Sequence, residues 1–401
     1  MTQTQKNRGV QVVAAGLAIN LALGILYTYS ILKEEIQKLF DNSADPYATA
    51  CLAFAFAMVL GGKMQDKFGP RVTATIGGVL VGVGFIICSM STSYWGWILG
   101  FGIFSGLGYG FGYSSATPPA LKWFSSDKTG FIAGIVVAGF GIAPVYLAPL
   151  SQFLLSKYTL SSTMLILGIF FLLIVCVLAT FLKNPPANFT PKNQTIKDST
   201  KKKIIKDVGV KEILKDKKFY ILWITFFIGA GTGLMVIGSI AGIAKQSMGS
   251  YAFLAVALMA IGNAGGRIMV GLASDKIGRI TALFIVMSTQ AVLMFISILV
   301  VNSSNTHPFF IVLIASLIGF NYGGNLSLFP SFVKDFWGVK NYGINYGVLF
   351  LAWGIGGFVL VKFADILKSS YGVSAPFLAA GALLLLSSAL SLILIKVKDK
   401  S

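Results

Sequence analysis

The sequence predicts an all-α membrane protein in which twelve transmembrane helices form two pseudo-symmetric six-helix bundles. Three observations support this prediction. Of the 401 residues, 55% are hydrophobic and only 11% are charged, whereas charged residues make up about 25% of a typical soluble protein. Twelve apolar runs are long enough to cross a bilayer core of about 30 Å. The last six runs also repeat features of the first six.

The first apolar run, residues 10–32, is too long for the core of a signal peptide and is predicted to be the first membrane helix. The other helices are expected near residues 47–62, 72–93, 95–121, 130–150, 160–182, 219–243, 251–274, 280–301, 308–333, 342–366 and 373–395. Between the two sets lies a lysine-rich, weakly hydrophobic stretch. The predicted domains are an N-terminal six-helix bundle (1–182), a cytoplasmic linker (183–217) and a C-terminal six-helix bundle (218–401).

Basic residues concentrate in the loops on one side of the predicted membrane domain. If the N-terminus is cytoplasmic, 25 of the 32 Lys and Arg residues fall on the cytoplasmic side, six fall outside, and Arg267 lies within the membrane. This asymmetry obeys the positive-inside rule. The sequence therefore predicts a multi-pass cell-membrane protein with both termini in the cytoplasm. The net charge of +18 is read as a topology signal, and no nucleic-acid partner is expected.

A short loop sequence occurs once in each half. GKMQDKFG at residues 62–69 recurs as GLASDKIG at residues 271–278, an offset of 209. The same offset pairs Tyr113 with Tyr322, and a later offset of 213 pairs Phe140 with Trp353. Internal repeats of this kind are typical of secondary transporters, which hold substrate near the midplane between the halves. The loop residues predicted to act in gating are Gly62, Asp66, Gly69, Gly271, Asp275 and Gly278.

Arg267 is the one charged residue in the predicted span 251–274. Placing arginine there costs about 2.5–3.5 kcal/mol on insertion scales, and arginine does not lose its proton in proteins. An offset of 209 leads from Arg267 to Met58 and from Asn263 to Phe54, so the charge belongs to one half only. We therefore expect Arg267 to bind an anionic ligand, with Asn263 one helical turn away on the same face.

Several polar aromatic residues are also predicted at membrane depth and are candidates for the same cavity. They are Tyr27, Tyr29, Tyr113, Tyr322 and Trp353, and Phe140 is expected to form part of its apolar wall. Tyrosine and tryptophan in apolar surroundings usually have a hydrogen-bond partner. This property suits them to line a cavity that receives a polar ligand.

The duplicated loop resembles the signature of the major facilitator superfamily, and the resemblance covers all twelve helices. The stretches GNAGGR (262–267), YGGNLSLFP (322–330) and NYG (345–347) resemble the oxalate/formate antiporter branch and, more distantly, the monocarboxylate transporters. The resemblance implies the major facilitator fold and a carboxylate-binding role for Arg267. It also implies cavity positions for Tyr27, Tyr29, Tyr113 and Tyr322. Asn325 lies within a stretch that carries the resemblance and joins the predicted substrate-binding residues.

One departure from the antiporter pattern affects the predicted substrate. The oxalate transporter that this chain resembles has a lysine in its eleventh helix, where this chain has Trp353. A single guanidinium suits a single carboxylate. We therefore expect a secondary active or facilitative transporter of a small monocarboxylate such as lactate, pyruvate or formate, working by alternating access. The alternatives are an oxalate/formate-type dicarboxylate exchanger and an anion sensor that does not transport.

Other functions find little support in the sequence. It contains no nucleophile–base pair, metal-ligand cluster or phosphate-binding loop, and His307 is its one histidine. No enzyme activity, metal or cofactor is expected. The expected partners are a small organic anion and the lipid bilayer. Whether transport is coupled to protons is left open. The monocarboxylate transporters carry an aspartate where this chain has Asn263, which does not titrate. A monomer is expected from the family.

Overall fold

The structure, a computed structural model, describes residues 8–43, 45–125, 128–186, 189, 207–249, 252–302 and 307–398. Within these ranges the chain is helical with short connections and has no strand. The membrane helices are numbered α1 to α12. They are α1 (Gly9–Leu23, Gly24–Thr28 and Tyr29–Gln37), α2 (Asp45–Phe68), α3 (Pro70–Ser89), α4 (Tyr94–Trp97, Ile98–Ser105 and Gly106–Lys122), α5 (Thr129–Ile142 and Pro144–Lys157), α6 (Leu160–Ala179), α7 (Lys217–Met248), α8 (Ala252–Ile277), α9 (Arg279–Asn302), α10 (Pro308–Trp337), α11 (Tyr342–Tyr371) and α12 (Ala375–Lys398).

Each predicted span coincides with one of these helices, and the all-helical fold is confirmed. Within the described residues, eleven helices are long and apolar enough to cross a membrane by length and composition. The twelfth, α4, is divided into three segments, of which Ile98–Ser105 is a wider π-helical stretch. We call the face where α1 begins and α12 ends the terminal face, and the other the distal face. The assignment of the terminal face to the cytoplasm stays a prediction.

The first membrane helix is not α-helical along its whole length. Residues Gly24–Thr28 wind as a tighter 3-10 segment between two α-helical segments. The Thr28 hydroxyl donates to the Ile25 carbonyl, three residues back, at 2.8 Å. At Gly24 the chain passes so close to α5 that an added Cβ would collide with Ala143 and lie 2.8 Å from the Phe140 carbonyl oxygen. The helix therefore changes its winding where it crosses its neighbour.

The two halves meet through glycine contacts that follow the sequence repeat. An added Cβ at Gly134 of α5 would collide with the backbone oxygen of Arg267 in α8. At Gly347 of α11 it would collide with the backbone oxygen of Met58 in α2. These contacts are counterparts, because Met58 corresponds to Arg267 and Gly134 to Gly347 in the repeat. Glycine permits such close backbone approach between membrane helices.

The predicted linker, residues 183–217, lies largely outside the described residues. Its described ends pack against tryptophans at the ends of α4 and α10. Trp123 Nε1 donates to the Lys183 carbonyl at 2.8 Å, and Trp337 Nε1 donates to Asp216 Oδ2 at 2.9 Å. Each described end is thus held by a tryptophan of the half that it adjoins.

Adjacent glycines of α8 provide a matched test of this packing. An added Cβ at Gly266 would collide with the Phe320 carbonyl of α10, whereas Gly265 has nothing within 4 Å of that position. We expect Gly266→Ala to lower the melting temperature and the yield of folded protein. Gly265→Ala should be neutral or stabilising by up to about 1 kcal/mol, because alanine favours a helix. Thermal unfolding of both purified variants is the measurement, and equal behaviour would contradict the observed packing.

Candidate functional site

Arg267 lies in the middle of the protein and is fully buried. It precedes the end of α8 at Ile277 by ten residues, which places it about 15 Å from the terminal face along the helix. Its Nε donates to Asn263 Oδ1 at 2.8 Å, and its Nη1 donates to the Val137 carbonyl of α5. Its Nη2 is buried and has no hydrogen-bond partner among the described residues. The N-terminal half therefore holds one side of the guanidinium and leaves Nη2 available.

A glycine of α5 makes room for this arrangement. An added Cβ at Gly141 would lie 3.0 Å from Arg267 Nε and 2.9 Å from Asn263 Oδ1. Any larger residue would have to displace the Arg267–Asn263 pair. The predicted proximity of Asn263 and Arg267 is thus observed, and α5 confines the pair from the other half.

A narrow cavity lies in front of Arg267, at the junction of the two halves. The space open to the centre of a water molecule is about 10 Å³, enough for about one water. Aromatic rings form most of its wall, and Phe350 and Trp353 stack with centroids 5.1 Å apart. Of its described lining residues, Arg267 is the only charged one. The lining consists of Tyr27, Phe54, Tyr113, Phe140, Arg267, Leu326, Phe350 and Trp353.

Four predicted aromatic residues line this cavity: Tyr27, Tyr113, Phe140 and Trp353. Tyr113 Oη is buried and has no hydrogen-bond partner among the described residues. Tyr322 is placed behind the lining, where its hydroxyl accepts a 2.9 Å hydrogen bond from Trp353 Nε1. The cavity therefore offers two buried polar groups, Arg267 Nη2 and Tyr113 Oη, that make no hydrogen bond of ordinary geometry within the described residues.

Two predicted residues are placed away from the cavity. The Tyr29 hydroxyl donates to the Ser43 carbonyl at 2.6 Å, and its ring stacks on Tyr47 within the N-terminal half. Asn325 is buried against Gly229 of α7, where an added Cβ would approach its side-chain nitrogen. The structure thus corrects the expectation that Tyr29 and Asn325 share the cavity with Arg267. Tyr27 and Tyr29 are two residues apart and therefore point to different sides of their helix.

Sequence reasoning missed four contributors to the site: the Val137 carbonyl and the side chains of Phe54, Leu326 and Phe350. Two of them, Phe54 and Phe350, could have been predicted from the sequence repeat. Phe54 is the counterpart of Asn263 at offset 209, and Phe350 is the counterpart of Val137 at offset 213. The counterparts of two residues that contact Arg267, Asn263 and Val137, therefore line the cavity from the opposite half. Leu326 had no comparable signal.

The two loop aspartates join the halves on the terminal face. Asp66 accepts hydrogen bonds from the Gly343 and Ile344 amides at the start of α11, at 3.2 and 3.0 Å. Asp275 accepts from the Gly130 and Phe131 amides at the start of α5, both at 2.9 Å. A carboxylate at a helix N-terminus is stabilised by the helix dipole and the free amides. Each half therefore caps a helix of the other.

The loop glycines support these contacts. Gly69 and Gly278 adopt φ values of +87° and +90°, which favour glycine and end α2 and α8 sharply. Gly62 and Gly271 lie against the backbones of Gly343 and Gly130. The C-terminal loop has additional support, since Asp275 also pairs with Arg279 at 2.5 Å. Arg279 in turn pairs with Asp335 of α10 at 3.0 Å.

A helical bundle of two related halves, with a buried cationic residue between them and reciprocal helix caps at one face, is typical of secondary transporters. The Major Facilitator Superfamily model matches residues 12–361. The chain belongs to that superfamily and is a transporter rather than an enzyme.

Curated relatives refine this assignment. The chain is 29% identical to the "Uncharacterized MFS-type transporter YhjX" of Escherichia coli, over 88% of this chain and 86% of that protein. It is 25% identical to the oxalate:formate antiporter of Oxalobacter formigenes (86% and 81%). It is 23% identical to apicoplast pyruvate carrier 1 of Toxoplasma gondii (87% and 82%). These similarities agree with an oxalate/formate-like branch related to the monocarboxylate transporters.

A solved structure supports the fold independently. The human organic anion transporter MFSD10 (TETRAN) superposes with a TM-score of 0.70 at 15% sequence identity, covering 97% of this chain and all of that one. At this identity the similarity concerns the fold alone.

Proposed function

We propose that the protein transports a small monocarboxylate, of the lactate, pyruvate or formate type, by alternating access between the two faces of the membrane. The observation that carries this proposal is the unpartnered Arg267 Nη2, buried beside a narrow aromatic cavity. A fixed positive charge in a low-dielectric site attracts an anion strongly. The names of two relatives, an oxalate:formate antiporter and a pyruvate carrier, agree with a small carboxylate.

The hydrogen bonds of Arg267 suggest how the carboxylate binds. Because Nε and Nη1 are already engaged, a two-pronged contact from Arg267 alone would require one of these bonds to break. Tyr113 Oη is the other unpartnered polar group in the lining. We therefore propose that one carboxylate oxygen accepts from Arg267 Nη2 and the other from the Tyr113 hydroxyl. This pairing satisfies both buried groups at once, as a low-dielectric site requires.

The remainder of the cavity supports a short, singly charged substrate. Phe54, Phe350 and Trp353 present rings to the space beside Arg267, and the Phe54 and Trp353 centroids are 5.2 Å apart. These groups suit a short carbon chain and offer no second cation. Burying a second carboxylate without a partner charge is costly. A dicarboxylate exchanger is therefore the weaker proposal for this cavity.

The terminal-face contacts fit alternating access. We propose that the bonds from Asp66 and Asp275 hold the terminal face closed and break when that face opens. They involve backbone amides at two helix starts, so both can break together as the halves rock. In the cell we place the protein in the cell membrane with the terminal face towards the cytoplasm, and we expect it to act as a monomer.

Arg267→Ala should abolish uptake of the anion, because it removes the fixed positive charge of the cavity. Arg267→Lys should reduce uptake at least about tenfold, because an ammonium cannot reproduce the fixed planar array of guanidinium donors. Uptake of radiolabelled monocarboxylates into proteoliposomes is the measurement. Tyr29→Phe, which alters a buried tyrosine away from the cavity, is the control. Near-normal uptake by folded Arg267→Ala would remove the proposed anion site.

Trp353→Lys should shift preference towards oxalate or another small dicarboxylate, because it adds a second cation and opens space in the lining. Competition between labelled monocarboxylate and unlabelled dicarboxylate measures the shift. Trp353→Phe is the matched control, since it reduces the side chain without adding charge. If neither variant gains dicarboxylate affinity while both stay folded, the number of cations does not set the selectivity.

Substrate exchange at equal pH on both sides should depend only weakly on pH between about 6 and 8, above the pKa of a carboxylic acid substrate. No carboxylate side chain is among the described lining residues, and Asn263 does not titrate. Asn263→Asp should create a pH dependence. Its ionised carboxylate would neutralise Arg267 at high pH, so exchange should fall as pH rises. A steep dependence in the unmodified protein would reveal a proton site and contradict this prediction.

A further inference from the structure

Two tyrosine hydroxyls connect the halves on the distal side of Arg267. Tyr27 Oη of α1 and Tyr322 Oη of α10 are 3.0 Å apart, and either can donate. Tyr27 lies 18 residues after the start of α1 at Gly9, about 27 Å from the terminal face along the helix. Tyr322 lies 15 residues before the end of α10 at Trp337, about 22 Å from that face. Both are farther from the terminal face than Arg267.

The two tyrosines are held very differently. Tyr322 is fully buried, receives the 2.9 Å hydrogen bond from Trp353 Nε1, and packs so closely on Gly233 that an added Cβ there would collide with its ring. Tyr27 is only partly buried. Its ring meets Phe140 edge-on, with the centroids 5.0 Å apart. Tyr322 is therefore the more tightly held partner, and Tyr27 is the less confined one.

Tyr27 also belongs to the 3-10 segment Gly24–Thr28. A 3-10 helix advances about 120° and 2.0 Å per residue, against about 100° and 1.5 Å for an α-helix. Rewinding this segment as an α-helix would turn Tyr27 by roughly 60° relative to the start of the segment and shorten the segment by about 2.5 Å. Such a stretch within a longer helix often marks a hinge. A change of winding is thus sufficient to carry the Tyr27 hydroxyl away from Tyr322.

We propose that Tyr27 and Tyr322 form a latch that closes the cavity towards the distal face, and that the 3-10 segment of α1 is the hinge that releases it. The latch is one neutral hydrogen bond, whose net contribution to stability is small enough for it to break in each cycle. Since Tyr27 lines the cavity and Tyr322 does not, Tyr322 acts by positioning Tyr27. The proposal does not depend on which anion is transported.

The test measures access to the cavity without any substrate. In a background with Cys51, Cys88 and Cys176 replaced by alanine, Leu326→Cys places a thiol in the cavity lining. Gln65→Cys places one at the terminal-face contact, where Gln65 is buried next to Gly343. The rate of modification by a charged, membrane-impermeant thiol reagent is measured for each reporter in lipid nanodiscs.

Tyr27→Phe should accelerate modification at position 326 about three- to tenfold, as expected for the loss of one hydrogen bond, and leave position 65 unchanged. Tyr322→Phe should have the same effect. The double variant should add little, because both changes remove one shared interaction. Tyr29→Phe is the matched control, since its hydroxyl bonds to Ser43 within the N-terminal half. It should leave both rates unchanged.

Several outcomes would overturn the latch. An unchanged rate at position 326 in folded Tyr27→Phe would show that the hydroxyl pair does not restrict access. Equal acceleration by Tyr29→Phe, or acceleration at position 65, would indicate general loosening. Fully additive effects in the double variant would show that the two hydroxyls act separately. Transport assays with the Arg267 variants test the anion site independently, so failure of either proposal leaves the other measurable.

Discussion

The burial of one permanently charged guanidinium constrains the centre of this protein. Arg267 cannot lose its proton, so the surrounding helices must satisfy it or leave room for an anion. Its own helix supplies Asn263, and α5 of the other half supplies the Val137 carbonyl. The close fit at Gly141 brings these groups together. Nη2 remains without a partner among the described residues, and this unsatisfied charged donor gives the cavity its chemical character.

The scaffold around this charge is symmetric, but its chemistry is not. Equivalent backbone contacts occur on the two sides of the interface: Gly134 lies against Arg267, and Gly347 lies against Met58. Such contacts need only the absence of side chains, so both halves can preserve them while the neighbouring side chains differ. Where one half carries Arg267, the other carries Met58 and contributes aromatic walls through Phe54. The backbone packing is thus repeated in the two halves, whereas the side chains differ and place a charged group on one side only.

The hydrogen bonds that connect the halves differ between the terminal face and the distal side of Arg267. On the terminal face, Asp66 and Asp275 accept from backbone amides at helix starts. Hydrogen bonds to an ionised group are roughly twice as strong as neutral ones. Beyond Arg267 on the distal side, the hydrogen bond that joins the halves within the described residues is the neutral Tyr27–Tyr322 pair. The terminal-face contacts are thus the stronger set in this conformation, with the cavity held between them and the tyrosine pair.

The number and approximate positions of the membrane helices, the repeat, and the shared helix face of Asn263 and Arg267 could all be predicted from the sequence. These features follow from helix length, internal periodicity and the four-residue spacing along one helix. The packing of the helices was needed to show that Tyr27 lines the cavity while Tyr29 does not, and that Asn325 faces α7. These helices are apolar on all sides, so hydrophobic periodicity cannot show which face meets a neighbour. The 3-10 winding of α1 and the carbonyl partner of Arg267 likewise depend on where α5 crosses α1 and α8, a contact between residues far apart in the chain.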